Sequence, residues 1–178
     1  NTLVRNPEAD PAVGGLLDTY DWYFLPVMNP DGFSFTHTDN RLWRKNRSEN
    51  PGSACRGTDL NRNYDYLWGG VGTSANPCSE TFGGVGAASE LETQAVQDFM
   101  PQITDSLEAW ITLHSYSQYW LIPWGDSESG SCVIADDDAE MMVVADAAAD
   151  ASEAAVGDSW ARGNWCRLLY ASTGILQD

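Results

Sequence analysis

Residues 89–123 read SELETQAVQDFMPQITDSLEAWITLHSYSQYWLIP and contain signals for a helix followed by strands. Ser89-Glu90-Leu91-Glu92 is a capping box, which predicts that a helix begins here. Its apolar stripe comprises Leu91, Ala95 and Phe99. The apolar run 109–113 then predicts a strand with His114 at its carboxyl end, and 119–122 predicts the next strand. A helix followed by two strands indicates an α/β arrangement.

Further strands and a second helix flank this segment. The aromatic run 20–28 (YDWYFLPVM) predicts a strand that enters a turn at 29–32, where the sequence is Asn-Pro-Asp-Gly. An Ala-rich stretch, 136–156, predicts a helix that begins with three aspartates, and 165–170 predicts a final strand. Residues 69–86, rich in glycine, predict a long irregular loop. The alternation indicates an α/β fold with its functional loops at strand ends.

Composition excludes several classes of function. The 178 residues fit one domain, and their 43% hydrophobic content is too high for a disordered acidic tail. With 9 Lys+Arg against 26 Asp+Glu, the net charge is −17, and such a surface repels nucleic acid and anionic lipid. No stretch approaches the ~18–20 apolar residues that span a bilayer. We therefore expect neither a nucleic-acid partner nor a membrane partner.

The few basic residues are concentrated in one stretch. Residues 41–62 contain six of the nine Lys and Arg side chains but only two acids, Glu49 and Asp59. Residues 126–158 contain ten acids and no base, which predicts a solvated helix face. Arginine suits planar carboxylates because its guanidinium donates two parallel hydrogen bonds. The basic stretch is therefore either a surface patch or, as we favour, a carboxylate-binding site.

The sulfur and imidazole groups leave alternatives open. The four Cys residues are even in number, widely spaced and without a C-x-x-C pair, which favours two disulfides and secretion over free thiols. A lone histidine at a strand end, such as His114, is either a satisfied polar group or a functional one. Only its neighbours can decide between these interpretations.

Five motifs resemble those of the zinc metallocarboxypeptidases of the carboxypeptidase A/B family, and they occur in the family's order. They are Asn29-Pro30-Asp31-Gly32-Phe33, Asn40-Arg41-Leu42-Trp43-Arg44-Lys45, Asp59-Leu60-Asn61-Arg62-Asn63, His114-Ser115-Tyr116-Ser117-Gln118, and Tyr170 followed by Ala171-Ser172-Thr173-Gly174. The resemblance implies an α/β fold with a mixed twisted sheet flanked by helices. It also implies that residues 1–178 are the central part of a single peptidase domain whose sheet is incomplete at both ends.

The resemblance implies a role for each matching residue. His114 matches the last of the family's three protein ligands to Zn²⁺, the expected cofactor. Arg44 matches the arginine that polarises the scissile carbonyl and stabilises the oxyanion. Asn61 and Arg62 match the pair that binds the free C-terminal carboxylate of the substrate. Tyr170 matches a tyrosine on a loop that closes over the bound terminus.

Other positions match with less specific roles. Arg41, Ser115 and Tyr116 match residues of the peptide-binding groove. Cys55 and Cys78 match the family's common disulfide, whereas Cys132 and Cys166 match a bridge found in some members. The other histidine, His37, is not a ligand in the family and is expected on a surface loop.

The implied activity is release of single C-terminal residues from peptides. Members that cleave basic residues carry an aspartate where this sequence has Gln177, so an apolar, aromatic or other neutral terminal residue is expected. Trp165 stands where the family often has a smaller residue and bears on the size of the pocket. Expected partners are peptide or protein C-termini and the protein's own prosegment or an inhibitor. A secreted, extracellular and digestive enzyme is expected.

Two parts of the family's catalytic set have no counterpart in this sequence. The H-x-x-E zinc motif is expected upstream and the general-base glutamate downstream, so these 178 residues alone are expected to bind zinc poorly and to be inactive. One alternative is a catalytically dead relative that binds peptide C-termini, which the flanking sequence would distinguish. Another is a Trp-rich carbohydrate-binding domain, although the 8 Trp residues form no repeat.

Overall fold

The computed structural model describes residues 11–176. In this part of the chain the α-helices are α1 (Pro11–Thr19), α2 (Pro30–Thr38), α3 (Leu91–Phe99), α4 (Asp138–Val156) and α5 (Trp165–Leu168). The strands are β1 (Tyr119–Ile122), β2 (Ser127–Glu128), β3 (Ser131–Cys132) and β4 (Ala161–Asn164). Short 3₁₀ turns occur at Leu60–Arg62, Met100–Gln102 and Thr104–Ser106.

The strands form one parallel and one antiparallel pair. Strands β1 and β4 are parallel, with Tyr119 opposite Ala161 and Ile122 opposite Asn164. Helix α4 lies between them in the chain and packs on both, because parallel strands need a crossover connection. Strands β2 and β3 form a short antiparallel hairpin. The predicted α/β class and the strand at 119–122 are confirmed.

Helix α4 confirms the helix predicted for the Ala-rich stretch. Ala145 and Ala149 are buried against the sheet, and Gly157 ends the helix with a φ of 81°. The acidic face is exposed as predicted, but it is not only solvated. Arg162 of β4 donates hydrogen bonds to three of its acids, which are Asp146, Asp150 and Glu153. These ion pairs fasten the outer face of α4 to the neighbouring strand.

Three strand predictions are wrong. Residues 20–28 and 109–113 lie outside any strand and leave apolar side chains exposed, Leu113 by 91%. A strand needs a hydrogen-bonded neighbour, and none of the described segments pairs with either run. Residues 165–170 begin as helix α5, because the Asn164 side chain accepts a hydrogen bond from the backbone N–H of Arg167 at 3.2 Å.

The turn predicted at residues 29–32 is instead the start of α2. Asn29 is the N-cap, and its Oδ1 accepts a hydrogen bond from the Gly32 N–H at 2.9 Å. Pro30 follows at the first helical position, where its missing N–H costs nothing. Because the same residues suit turns and caps, the sequence alone does not separate them. His37 therefore lies on an exposed helix, edge-on to Phe33, rather than on a loop.

Helix α3 begins where the capping box predicts, but the details of that prediction are wrong. The N-cap is Glu90, which makes no side-chain cap hydrogen bond. The buried face consists of Thr93 and Val96, whereas Leu91 is 78% exposed. The Glu90 side chain is free of the capping role and turns into the protein interior.

Both disulfides are present as the motifs imply. Cys55 is joined to Cys78 and Cys132 to Cys166, with Cα–Cα distances of 5.1 and 5.7 Å. Residues 69–86 form the predicted irregular loop, which the first bridge anchors. Among the described residues, no helix has the length and apolar character that crossing a bilayer requires.

Candidate functional site

Arg44 lies outside any helix or strand and is fixed by Asp59. Its Nε and Nη2 both donate to Asp59 Oδ2, at 2.9 and 2.7 Å. The Arg44 side chain is 40% exposed, whereas that of Asp59 is 4% exposed. The second carboxylate oxygen accepts the backbone N–H of Asn61 at 3.1 Å. Asp59 thus orients the guanidinium and ties it to the 3₁₀ turn that follows.

Arg62 lies on that turn and is 1% exposed. Its Nε donates to the Gly72 carbonyl at 3.0 Å and its Nη1 to the Asn61 carbonyl. Gly72 has a φ of 75°, and a side chain there would come within 2.8 Å of the Ala171 carbonyl, so only glycine fits. The irregular loop therefore supplies the backbone oxygen that aims Arg62.

Tyr170 reaches the same guanidinium from the far end of the chain. Its hydroxyl lies 3.4 Å from Arg62 Nη2, and its ring centroid lies 5.8 Å from Arg62 Cζ. Asn61 Oδ1 accepts the backbone N–H of Leu176 at 2.9 Å, so this segment is held at both ends. The Asn61 side-chain amide is left to donate through its Nδ2.

His114 belongs to the same group of side chains. Its ring is edge-on to Trp165 with a centroid distance of 5.9 Å, and its Nε2 lies 3.2 Å from Thr112 Oγ1. The His114 side chain keeps a solvent-exposed surface, but desolvation by the groups packed around its ring lowers the pKa of His114; the Arg44 and Arg62 charges lower it further, and Asp59 raises it. The neutral imidazole is therefore favoured, and neutral imidazole is the form that binds metals.

These side chains form what we call the clamp cluster, which consists of Arg44, Asp59, Asn61, Arg62, His114 and Tyr170. Two guanidinium charges outweigh one carboxylate, so the cluster is positive within a chain of net charge −17. The guanidinium forks, the Asn61 amide and the Tyr170 hydroxyl are all hydrogen-bond donors. This set can hold an anionic group, and the planar forks suit a carboxylate in particular.

The remaining predicted positions lie at the surface. Arg41, Ser115 and Tyr116 are exposed, Tyr116 by 96%, although Ser115 directly follows His114 in the chain. Gln177 lies outside the described residues. The structure therefore gathers Arg44, Asn61, Arg62, His114 and Tyr170 in the clamp cluster and leaves the positions matched to the family's peptide groove on the surface.

The contacts of two residues at the clamp cluster, Asp59 and Trp165, were not predictable from the sequence. Asp59 was visible as one of only two acids in the basic stretch, yet nothing in its spacing indicated Arg44 as its partner. Trp165 does more than fill a pocket, because it contacts both the His114 and Tyr170 rings edge-on. Its indole N–H donates to Ser172 Oγ at 3.0 Å, which fixes the ring between them.

The described residues do not by themselves make a metal site. Among them there is no group of three His, Cys, Asp or Glu side chains that could hold an ion, and the clamp cluster offers one imidazole. Zinc sites in proteins use three or four protein ligands. His114 can therefore be at most one member of a larger ligand set.

Comparison with known proteins identifies the family. Over residues 1–178 the chain matches the sequence profile of the zinc carboxypeptidases. The chain belongs to this family. This match confirms the family predicted from the motifs, and membership of the family implies Zn²⁺ as the cofactor.

Individual relatives agree with this assignment. The chain is 40% identical over 163 residues to a zinc carboxypeptidase of Simulium vittatum, covering 92% of this chain and 52% of that protein. It is 41% identical over 174 residues to carboxypeptidase A2 of Mus musculus, covering 98% and 40%. For carboxypeptidase B of Bos taurus the identity is 42% over 162 residues, covering 91% and 38%. The chain thus spans about half or less of these zinc carboxypeptidases.

Solved structures of the family share the fold. Thrombin-activatable fibrinolysis inhibitor superposes with a TM-score of 0.90 at 35% identity, covering 98% of this chain and 43% of that one. The bovine form, in complex with tick carboxypeptidase inhibitor, gives 0.81 at 36% identity, covering 93% and 58%. The small sheets of this zinc carboxypeptidase chain therefore match part of a larger carboxypeptidase fold.

Proposed function

We propose that the protein containing this chain is a zinc-dependent carboxypeptidase that releases single C-terminal residues from peptides. The observation that carries the proposal is the contact of Arg62 with Tyr170, 108 residues apart in the sequence, beside Asn61 and His114. A free C-terminus is a planar carboxylate, and the donors gathered here match it in charge and shape.

Each residue of the clamp cluster has a distinct task in this proposal. Arg62 and the Asn61 amide bind the terminal carboxylate, and Tyr170 covers it by donating its hydroxyl. Arg44, oriented by Asp59, donates to the scissile carbonyl oxygen and stabilises the negative charge that develops there. His114 serves as one ligand of the zinc ion.

We further propose that residues 1–178 are the central part of one catalytic domain. The coverage of relatives by this chain, 38% to 58% of their lengths, supports this division. The remaining zinc ligands and the general base then come from outside these residues. Accordingly, the 178-residue chain alone is proposed to be inactive and the complete protein active.

A comparison of peptides with free and amidated C-termini tests the activity. We expect the complete protein to release the last residue of the free peptide but not of the amide, and a zinc chelator to abolish release until zinc is restored. The 178-residue chain should release none. Chelator-sensitive release by this chain alone would contradict its proposed inactivity, and cleavage of the amidated peptide at the same rate would contradict carboxylate recognition.

Binding without turnover is the outcome that would favour the alternative function. A relative without catalytic residues would still hold a peptide carboxylate through Asn61, Arg62 and Tyr170. Calorimetric titration of the complete protein with the free and amidated peptides separates the two cases. Selective binding of the free peptide with no release would assign a peptide-binding module.

For the terminal residue we propose a neutral, apolar or aromatic side chain. Gln177 supplies no charge to bind Lys or Arg, and Leu121 and Gly125, which the resemblance to the family implies for other positions of the same pocket, are uncharged as well. Asp126 argues against this preference, because a buried carboxylate next to Gly125 could bind a basic terminal residue. It is 7% exposed, and its Oδ1 accepts no hydrogen bond from the described residues.

A panel of peptides that differ only in the last residue tests this preference. We expect kcat/KM for Phe, Leu or Ala to exceed that for Lys or Arg by about tenfold or more, which corresponds to about 1.4 kcal/mol. A preference for Lys or Arg would overturn the proposal. Loss of such a preference in Asp126→Asn would then assign it to that carboxylate.

We also propose that the protein is secreted and digestive, and that its own prosegment or an inhibitor is a partner. The two disulfides support export to an oxidising compartment. The solved complex of the bovine relative with tick carboxypeptidase inhibitor supports an inhibitor as a partner.

A further inference from the structure

Glu90 is a buried carboxylate that none of the proposed catalytic steps uses. The residue is 7% exposed, although it stands at the start of α3, where an acid can remain in solvent. Its Oε2 accepts a hydrogen bond from Asn46 Nδ2 at 2.7 Å. Its Oε1 accepts from Thr58 Oγ1 at 3.0 Å and from Ser89 Oγ at 2.7 Å. One side chain thus joins three segments of the chain.

The first two partners of Glu90 adjoin the clamp cluster. Asn46 is two residues from Arg44, and Thr58 immediately precedes Asp59. These two segments are also bonded directly, because the Asn46 Oδ1 accepts the Thr58 N–H at 2.7 Å and the Asn46 N–H donates to the Thr58 carbonyl at 2.9 Å. Glu90 accepts hydrogen bonds from both segments, through Asn46 and Thr58, and so links them to the start of α3.

The backbone of Glu90 holds the other end of the turn that carries Arg62. Its N–H donates to Asn63 Oδ1 at 3.1 Å. The Asn63 Nδ2 in turn donates to the carbonyls of Gly83 and Gly86, at 2.8 and 3.0 Å. Glu90 is therefore hydrogen-bonded to Thr58 before the 3₁₀ turn Leu60–Arg62 and to Asn63 after it.

The charge on Glu90 strengthens these contacts. Burial alone would raise the pKa of Glu90, but hydrogen bonds from Asn46, Ser89, Ser48 and Thr58 outweigh it and lower the pKa below its usual value. The side chain is thus a carboxylate at neutral pH, and hydrogen bonds to a charged acceptor are stronger than those to a neutral one. A second acid also contacts Asn46, because both carboxylate oxygens of Glu92 accept from Asn46 Nδ2 at 3.4 Å.

We propose that Glu90 is a positioning residue that fixes the spacing between Arg44 and Arg62. It acts through Asn46 on the first arginine and through Thr58 and Asn63 on the second. It thereby controls how tightly a terminal carboxylate is held. This inference rests on the proposed carboxypeptidase function, since it names what sets the geometry of the same site.

Glu90→Gln in the complete protein tests the proposal. Gln keeps the size but offers one acceptor oxygen and an NH₂ donor in place of two acceptors, so the donors of Asn46, Thr58 and Ser89 cannot all be satisfied. We expect KM for a peptide with a free C-terminus to rise about tenfold, equivalent to about 1.4 kcal/mol, with a smaller change in kcat. Asp98→Asn removes an exposed acid on the same helix and should leave both constants unchanged.

A second variant keeps the proposal testable if Glu90→Gln fails to fold. Thr58→Val removes one hydroxyl donor to Glu90 with little change of shape, and we expect a smaller rise in KM. All assays are run below the melting temperature of each variant. A free amino acid should inhibit by placing its carboxylate in the clamp cluster. We expect its inhibition constant to rise in each variant together with KM.

The outcomes separate this inference from the function on which it rests. An unchanged KM in folded Glu90→Gln, or a loss of kcat alone, overturns the positioning role while the wild-type activity still supports a carboxypeptidase. A wild-type protein that neither cleaves nor binds the free peptide overturns the proposed function, and the positioning role with it. A selective rise in KM in both Glu90→Gln and Thr58→Val supports the inference.

Discussion

Replacing Arg62 with Met is expected to lower kcat/KM for peptides with a free C-terminus by about 30- to 4,000-fold, mainly through KM. Losing one partner of a hydrogen-bonded charge pair typically costs about 2–5 kcal/mol, and each 1.4 kcal/mol is a factor of ten. Arg62 is also 1% exposed and bonded to two backbone carbonyls, so stability should fall as well. The measurement is steady-state kinetics on the complete protein together with thermal melting.

Two further variants separate charge, geometry and stability at this position. Arg62→Lys keeps the positive charge but not the two-pronged donor, so it should recover only part of the affinity. Arg167→Gln removes an exposed arginine outside the clamp cluster and should leave kinetics and melting unchanged. A folded Arg62→Met variant with wild-type KM would show that Arg62 does not bind the terminal carboxylate.

Removing the Cys55–Cys78 bridge is expected to destabilise the protein by about 3 kcal/mol. The bridge closes a segment of 23 residues, and the entropy lost by the unfolded chain on closing such a loop accounts for this magnitude. In a domain of about 150–250 residues each 1 kcal/mol shifts Tm by about 2–4 °C, and the shift is smaller in a larger domain such as the one proposed here, so Tm should fall by up to about 6 °C. The measurement is thermal unfolding of the complete protein carrying Cys55→Ala and Cys78→Ala.

The second bridge provides the matched comparison. Cys132 and Cys166 are separated by 34 residues, so Cys132→Ala with Cys166→Ala should cost slightly more, about 4 kcal/mol. A reducing agent that opens both bridges should lower Tm further than either double variant. A Tm that stays unchanged in both double variants would contradict a stabilising role for these disulfides.

Local sequence patterns predicted some elements of the fold well. Strand β1 lies at the predicted residues, and helix α4 begins and ends close to the predicted limits. Helix α4 was predictable because its Ala-rich composition and the aspartates at its start are local signals. The conformation of residues 20–28 and 109–113 was not predictable, since residues that favour strands form one only where another segment pairs with them.

Motifs located much of the candidate site, but not its internal contacts. Arg44, Asn61, Arg62, His114 and Tyr170 were named from the sequence and lie together in the structure, while their roles remain proposals. The hydrogen bonds that orient them were not predictable. Asp59 lies 15 residues from its partner Arg44, and such pairings depend on how the loops fold back.

Short motifs were enough to indicate the family and, through that resemblance, most residues of the clamp cluster and both cysteine pairs. The folded chain was needed to show that the Gly72 carbonyl accepts from Arg62, that Tyr170 lies against Arg62, and that Glu90 ties the arginine segments together. These contacts join residues 10, 108 and 44 positions apart. The physical reason is that a buried polar group takes whichever partner the packed chain brings within hydrogen-bonding distance.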